Sequence, residues 1–204
     1  MKTYKITEED LQNLIKREPL FKEYIAQFGI LKKTINPNIF ESIIGAMIAQ
    51  QISGKAATAI TNRLYEKIGA VTPQNLLALT DEDFAFIGLG PQKRGYIRSI
   101  ADSFATGKIT ESNLKTLDDK ELTEELVKLK GVGEWTAEML LIFSVGHTNV
   151  LSYKDLGIRK GLMKLYQKGN IDEVTPAFFE DCRQKFDPYN TLASFYLWEI
   201  ASLK

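Results

Sequence analysis

Apolar residues recur at spacings of three and four along most of the chain. The pattern runs through Leu11–Phe28, Ile39–Ile48, Ala56–Ile68, Tyr96–Phe104, Leu122–Leu129, Ala137–Phe143, Ile158–Leu165 and Leu192–Leu203. That period places the apolar side chains of each segment on one face of an α-helix. Helix starts are marked as well. Thr72-Pro73 and Thr175-Pro176 each pair a capping hydroxyl with a proline at the first helical position, and Thr80 precedes the acidic run Asp81-Glu82-Asp83. Alternating runs of β-branched residues are nearly absent. The pattern predicts an all-α fold of about ten helices with short connections. No Pro/Gly-rich linker marks a domain boundary, so two lobes, if present, pack closely.

One stretch combines helix punctuation with possible chemistry: LKGVGEWTAEMLLIF, Leu129 to Phe143. A helix over 122–128 ends near Leu129 and another begins at Glu134, so the turn between them makes a helical hairpin. Gly131 and Gly133 permit positive φ and close backbone approach. The amides at the start of the second helix would then face an anion such as a DNA phosphate, with Lys130 adding a charge. A C-cap glycine followed by a tight turn explains the same residues, so G-x-G alone leaves both readings open.

Charge and composition narrow the field. Lys and Arg total 26, as do Asp and Glu, so the net charge is zero. Whole-molecule steering toward a polyanion is therefore weak, although a local basic face is still possible. The chain has one cysteine, Cys182, and one histidine, His147. That excludes an internal disulfide, a cysteine zinc site, a multi-histidine metal site and a cysteine-ligated iron–sulfur cluster. Cys182 reads as a structural thiol and His147 as a loop residue. The start, MKTYKITEEDLQ, lacks an apolar run of signal-peptide length, and no stretch approaches a membrane span. The expectation is a cytoplasmic protein, nucleoid-associated in a bacterium.

Four stretches in order carry a family resemblance. The L-x-G-V-G followed by W-T-A of the hairpin is similar to the helix–hairpin–helix of base-excision DNA glycosylases, in particular DNA-3-methyladenine glycosylase II, the AlkA-type branch. VLSYKDLGIRKG (Val150–Gly161) places Asp155 at the position of the family's catalytic aspartate. IIGAMIAQQISGKAA (Ile43–Ala57) resembles the helix and turn that face the DNA minor groove. YNTLASFYLW (Tyr189–Trp198) resembles the C-terminal helix with its pocket tryptophan. LGPQKR (Leu89–Arg94) resembles a further family turn, though a solvated basic helix start explains it equally well. The resemblance covers residues 37–202. It implies two all-α lobes, 37–147 with the hairpin and 1–36 plus 148–204 with the aspartate, and an active-site cleft between them. The β-rich N-terminal domain of some AlkA-type members has no counterpart in the strand pattern here.

The resemblance also distributes roles. Asp155 would stabilise positive charge on the deoxyribose as the base departs, and orient or deprotonate the attacking water. It also sits where an N-cap would sit, and the two roles are compatible. Trp135 occupies the position at which backbone-cutting relatives carry a Schiff-base lysine, which implies hydrolysis by water that leaves an abasic site. Trp135, Trp198, Tyr153 and Met139 would line the base pocket, where indole faces favour a cationic alkylated purine. Both tryptophans are equally readable as core aromatics. Gln50, Gln51, Ile52, Ser53 and Lys55 would meet DNA together with Lys130, Gly131 and Gly133. Within that set Ile52 is a candidate wedge, with core packing as its alternative, and Gln51 or Ser53 would touch base edges. The carbonyls of Val127, Leu129 and Val132 could hold a monovalent cation; no other cofactor and no cluster is implied. The expected function is monofunctional release of alkylated purines of the 3-methyladenine type from damaged double-stranded DNA, by a monomer. The alternatives are a glycosylase for a deaminated or oxidised base, and a helix–hairpin–helix DNA-binding module without chemistry. The last has no need for a carboxylate at Asp155 and would favour a basic chain.

Overall fold

The computed structural model describes residues 2–203. The chain divides into two compact units, one formed by Met1–Ile35 with Leu141–Lys204, the other by Asn36–Leu140.

The terminal unit begins with β1 (Lys2–Thr3), α1 (Glu8–Arg17), α2 (Phe21–Phe28) and β2 (Thr34–Ile35). Thr7 and Asp10 cap α1 reciprocally, each side chain accepting the other's backbone N–H. The apolar period over Leu11–Phe28 is interrupted after Arg17, because Pro19 lacks an N–H and its ring excludes a continuing helix. β1 and β2 pair antiparallel with Lys2 opposite Ile35, a two-residue ladder that has no alternating pattern to announce it.

The central unit contains α3 (Ile39–Ala49), α4 (Gly54–Ile68), α5 (Pro73–Leu77), α6 (Asp81–Ile87), α7 (Pro91–Ala105), α8 (Glu111–Leu114), α9 (Asp119–Val127) and α10 (Glu134–Leu140). Helix α3 carries Ile39, Phe40, Ile43, Ile44, Met47 and Ile48, all buried, and packs against α4, α7 and α10. It is apolar nearly all round because it is the unit's central helix. Thr72 and Thr80 cap α5 and α6 as their sequence predicts, each contributing about 1 kcal/mol.

The chain then returns to the terminal unit. Leu141–Val145 forms a π-helical turn, where the apolar period predicts α-helix from Ala137 through Phe143. The N–H groups of Gly146 and His147 both donate to the Leu141 carbonyl, and the turn packs against β2. Residues 141–147 therefore lie in the terminal unit, whereas the family resemblance implies a boundary after residue 147. After this come α11 (Leu156–Leu165), a 3-10 turn (Ile171–Glu173), α12 (Pro176–Phe186) and α13 (Asn190–Ser202). Ile158, Leu162, Phe186, Tyr196 and Leu197 form one core with Leu14 and Phe21. Helices α11 and α13 approach backbone to backbone at Gly161, where a Cβ would lie 2.7 Å from the Leu197 carbonyl carbon. Among the described residues no helix is long and apolar enough to cross a membrane.

Candidate active site

The hairpin between α9 and α10 asks for its two glycines for different reasons. Val132 N–H donates to the Leu129 carbonyl at 3.0 Å and closes the turn. Gly131 has φ +86°, and a Cβ there would stand 2.5 Å from Tyr96 Cδ2 and 2.7 Å from Met47 Cε. Left-handed backbone and a crowded site both exclude a side chain. Gly133 is exposed, its φ lies outside the left-handed region, and a Cβ would meet nothing within 4 Å. Packing does not require glycine at this position. Its carbonyl accepts Ala137 N–H at the start of α10. Lys130 is exposed beside it, as is Val127, while Leu129 and Val132 are buried.

The turn between α3 and α4 is tied to the hairpin within the same unit. Gln50 turns inward: its Nε2 donates to the Gly131 carbonyl at 2.9 Å and to Thr136 Oγ1 at 3.3 Å. Its amide is thus engaged in fixing the hairpin, where the sequence suggests a DNA contact. Gln51 adopts φ +58°, uncommon for a residue with a Cβ. Ile52 is 37% exposed, which disposes of the core-packing alternative for this residue. Ser53 caps α4 by accepting Ala56 N–H, and Gly54 and Lys55 are exposed. Lys93, expected at a solvated basic helix start, instead donates to the carbonyls of Ile48 and Gln50 at 2.7 and 2.6 Å. Burial pulls its pKa below the usual ammonium value. Sequence reading misses this role because the partners lie more than forty positions away in the chain.

In the terminal unit, Asp155 is the N-cap of α11 and is only 7% exposed. Its Oδ1 accepts the Ile158 N–H at 2.8 Å and the Trp198 indole N–H at 3.0 Å. Two donors and the positive end of a helix hold the carboxylate in one place. Gly157 makes room for this arrangement. A Cβ there would lie 2.7 Å from Trp198 Cδ1 and 3.1 Å from Asp155 Oδ1. The Trp198 ring stacks on Phe143, centroids 5.7 Å apart and 25° between planes. Trp198 is therefore both packed and polar-bonded, and Phe143, which the sequence does not single out, supports it. Tyr153 sets its ring edge to face against Phe179, with the Arg159 guanidinium 4.9 Å above it. The His147 carbonyl accepts from Thr191 Oγ1 and Tyr4 OH, so the residue serves through its main chain as a loop anchor. Cys182 is buried, and burial pushes its thiol up to about 11.

Trp135 and Met139 belong to the central unit, on α10. Trp135 is 37% exposed, which removes the plain core reading, and Met139 is half-buried. The chemistry available is thus a rigid, donor-flanked carboxylate in one unit, and in the other an exposed indole, an exposed apolar side chain on a turn and an open-backboned hairpin.

Residues 44–196 match the family described as HhH-GPD superfamily base excision DNA repair protein, and the chain belongs to that family. Its mostly helical fold, the all-α class with one short β ladder added, is that of the family over nearly the whole chain. The chain is similar to DNA-3-methyladenine glycosylase 1 of Schizosaccharomyces pombe, 34% identical over 169 residues, covering 80% of this chain and 73% of that protein. The solved structure of S. pombe 3-methyladenine DNA glycosylase (Mag1) in complex with abasic DNA superposes with a TM-score of 0.85 at 29% identity, covering 96% of this chain and 97% of that one. DNA-3-methyladenine glycosidase from Bacillus halodurans superposes with a TM-score of 0.82 at 28% identity, covering 99% of this chain and 93% of that one.

Proposed function

We propose that this protein is a monofunctional DNA-3-methyladenine glycosylase, which hydrolyses the N-glycosidic bond of alkylated purines in duplex DNA and leaves an abasic site. The observation that carries the reading is Asp155, a shielded carboxylate fixed by Ile158 N–H and Trp198 Nε1 at the start of α11. As the C1′–N bond breaks, its electron pair leaves with the base, and positive charge develops on the sugar. A fixed anion stabilises that charge without reorganising, and can take a proton from the water that bonds to C1′. Trp135 has no amine and forms no Schiff base, so water is the nucleophile and the DNA strand stays intact. Its indole, on a residue 37% exposed, would stack on a cationic purine. On the DNA side, Ile52 would fill the gap left by the extruded base, while Gly133 and Lys130 would meet phosphate.

The carbonyls of Val127, Leu129 and Val132 are hard neutral donors of the kind that suit a monovalent cation. The Leu129 carbonyl already accepts Val132 N–H but keeps a second lone pair, so the donor set fits such an ion. The ion's contribution would be positive charge at the hairpin.

The test is incubation with methylated duplex DNA, followed by chromatography of released bases and gel analysis of the strand. The expected result is free 3-methyladenine, strands that break only after alkaline heating, and no protein–DNA adduct on borohydride treatment. Release accompanied by direct strand cleavage would refute the monofunctional reading. Release of a deaminated or oxidised base instead would move the substrate class.

A further inference from the structure

Between the π-helical turn and α11, residues 146–155 form neither helix nor strand, yet Val150, Leu151, Ser152 and Asp155 are buried. A buried segment without a ladder of its own must find partners for its peptide groups elsewhere. This one finds them on a single face of α13.

Thr191 Oγ1 donates to the His147 carbonyl at 2.8 Å and accepts the Val150 N–H at 3.0 Å. The Thr191 N–H donates to the Thr148 carbonyl at 3.1 Å. One turn on, Ser194 Oγ donates to the Val150 carbonyl at 2.9 Å, sharing its proton with the Asn190 carbonyl of its own helix. One turn further, Trp198 Nε1 donates to Asp155 Oδ1 at 3.0 Å. Positions 191, 194 and 198 are spaced three and four apart, so they stand in line along the helix. They meet residues 147–150, then 150, then 155, in chain order. The loop is laid along α13 as along a ruler, and Asp155 is held at its end.

Packing alone does not ask for these hydroxyls. Thr191 and Ser194 are fully buried, and their neighbours Leu192, Ala193, Phe195, Tyr196 and Leu197 are apolar and buried too. A buried hydroxyl is costly unless it is partnered. Valine has the shape of threonine but neither gives nor takes a hydrogen bond. A hydroxyl does both, so one side chain holds a carbonyl and an N–H of the same loop at one point.

We infer that Thr191 and Ser194 are positioning residues for base release: they fix the start of the 146–155 loop on α13, and so set the Asp155 carboxylate against Trp198. The inference rests on the glycosylase reading for its purpose, and on geometry within the terminal unit for its mechanism. Both side chains are enclosed by protein, so their effect passes through the loop to Asp155.

The experiment has two readouts. The first needs no catalysis. A proton–nitrogen correlation spectrum shows one indole N–H per tryptophan, and the chain has two. Trp198→Phe assigns the Trp198 signal, whose downfield position reports its bond to the carboxylate. The second is the single-turnover rate of 3-methyladenine release at saturating enzyme, with the affinity for abasic duplex measured beside it. Both are read for wild type, Thr191→Val, Thr191→Ser, Ser194→Ala and Phe21→Leu, at a temperature where each is folded. Thr191→Val is expected to move the Trp198 signal upfield and to slow release about tenfold or more, with duplex affinity within about twofold of wild type. Ser194→Ala should change both in the same direction by less, because Val150 N–H keeps its acceptor. Thr191→Ser restores the hydroxyl and should recover most of both. Phe21→Leu disturbs the same core away from the loop, and should lower the melting temperature while leaving the rate near wild type. In an Asp155→Asn background Thr191→Val should slow release no further, because the hydroxyl acts only through the carboxylate. An unmoved indole signal in Thr191→Val, release within about twofold of wild type, or an equal slowing by Phe21→Leu would overturn the inference. A wild type that releases no base, with the indole signal still shifted by Thr191→Val and restored by Thr191→Ser, would sink the glycosylase reading and leave the positioning of Asp155 standing.

Discussion

Replacing Gly131 and Gly133 separately by alanine tests whether the two hairpin glycines serve different ends. At Gly131 the new methyl meets two penalties. Backbone at φ +86° costs an L-residue about 1–2 kcal/mol. The Cβ would also stand 2.5 Å from Tyr96 Cδ2 and 2.7 Å from Met47 Cε, so both side chains must shift. Met47 is fully buried on α3, and forced repacking of a core position typically costs about 1–3 kcal/mol. Together the expected destabilisation is about 2–5 kcal/mol, or roughly 4–20 °C in melting temperature for a chain of this size. At Gly133 nothing lies within 4 Å and the backbone is outside the left-handed region. Alanine there should change stability by less than about 0.5 kcal/mol, with a slight gain from reduced unfolded-state freedom. Its effect should emerge instead as weaker binding to duplex DNA. Thermal and urea unfolding measure the first quantity, and titration of labelled duplex measures the second. A Gly131→Ala variant as stable as wild type, or a Gly133→Ala variant equally destabilised, would refute the separation of a packing glycine from an access glycine.

Three further outcomes are expected. Gly161→Ala should destabilise the terminal unit by about 2–4 kcal/mol, read by thermal unfolding, because its methyl meets the Leu197 backbone and a backbone cannot swing aside as a side chain can. Trp198→Phe keeps a ring against Phe143 but removes the donor to Asp155 Oδ1. Base release should fall by about tenfold or more in single-turnover kinetics, and the melting temperature should fall by several degrees as well, since a hydrogen bond to a charged group contributes about 1.5–3 kcal/mol to stability. For Glu18, burial pushes its pKa up, but hydrogen bonds from Lys185, Tyr166 and the Leu20 N–H outweigh this and leave it below the ordinary carboxylate range. A depressed folded-state pKa gives stability that is full above the unfolded value and is lost as pH falls through the folded one. Glu18→Gln should therefore flatten the acid limb of stability against pH, measured by unfolding at a series of acidic pH values.

The helices are legible in the sequence because their signals are local. The hydroxyls of Thr72, Thr80 and Thr175 stand where helix starts require an acceptor, and each accepts the predicted N–H. Asp155 is legible for the same reason, as its capping geometry follows from the residues beside it. What stays hidden depends on distant partners. Nothing near Lys93 in sequence announces the carbonyls of Ile48 and Gln50, so a lysine bonded to both reads as a solvated helix start. Gln50 stands in a polar turn that suggests an outward role, yet Gly131, 81 positions on, claims its amide. The exposure of Ile52 is undecidable from its neighbours, because an apolar residue in a turn packs inward or stands out according to how the turn is held. Gly157 looks like an ordinary residue of a helix start until the indole of Trp198 is found against it.

The central claim is that Asp155 carries the chemistry, and the variant Asp155→Asn tests it most directly. Asparagine is as good an N-cap as aspartate, and its carbonyl oxygen can still accept from Ile158 N–H and Trp198 Nε1, so α11 and its surroundings are retained. The negative charge is removed, and Oδ2 is replaced by an amide NH2. Single-turnover release of 3-methyladenine from methylated duplex DNA should fall by about a hundredfold or more, with duplex binding and melting temperature close to wild type. Release within a few fold of wild type by a folded, DNA-binding Asp155→Asn variant would contradict the claim.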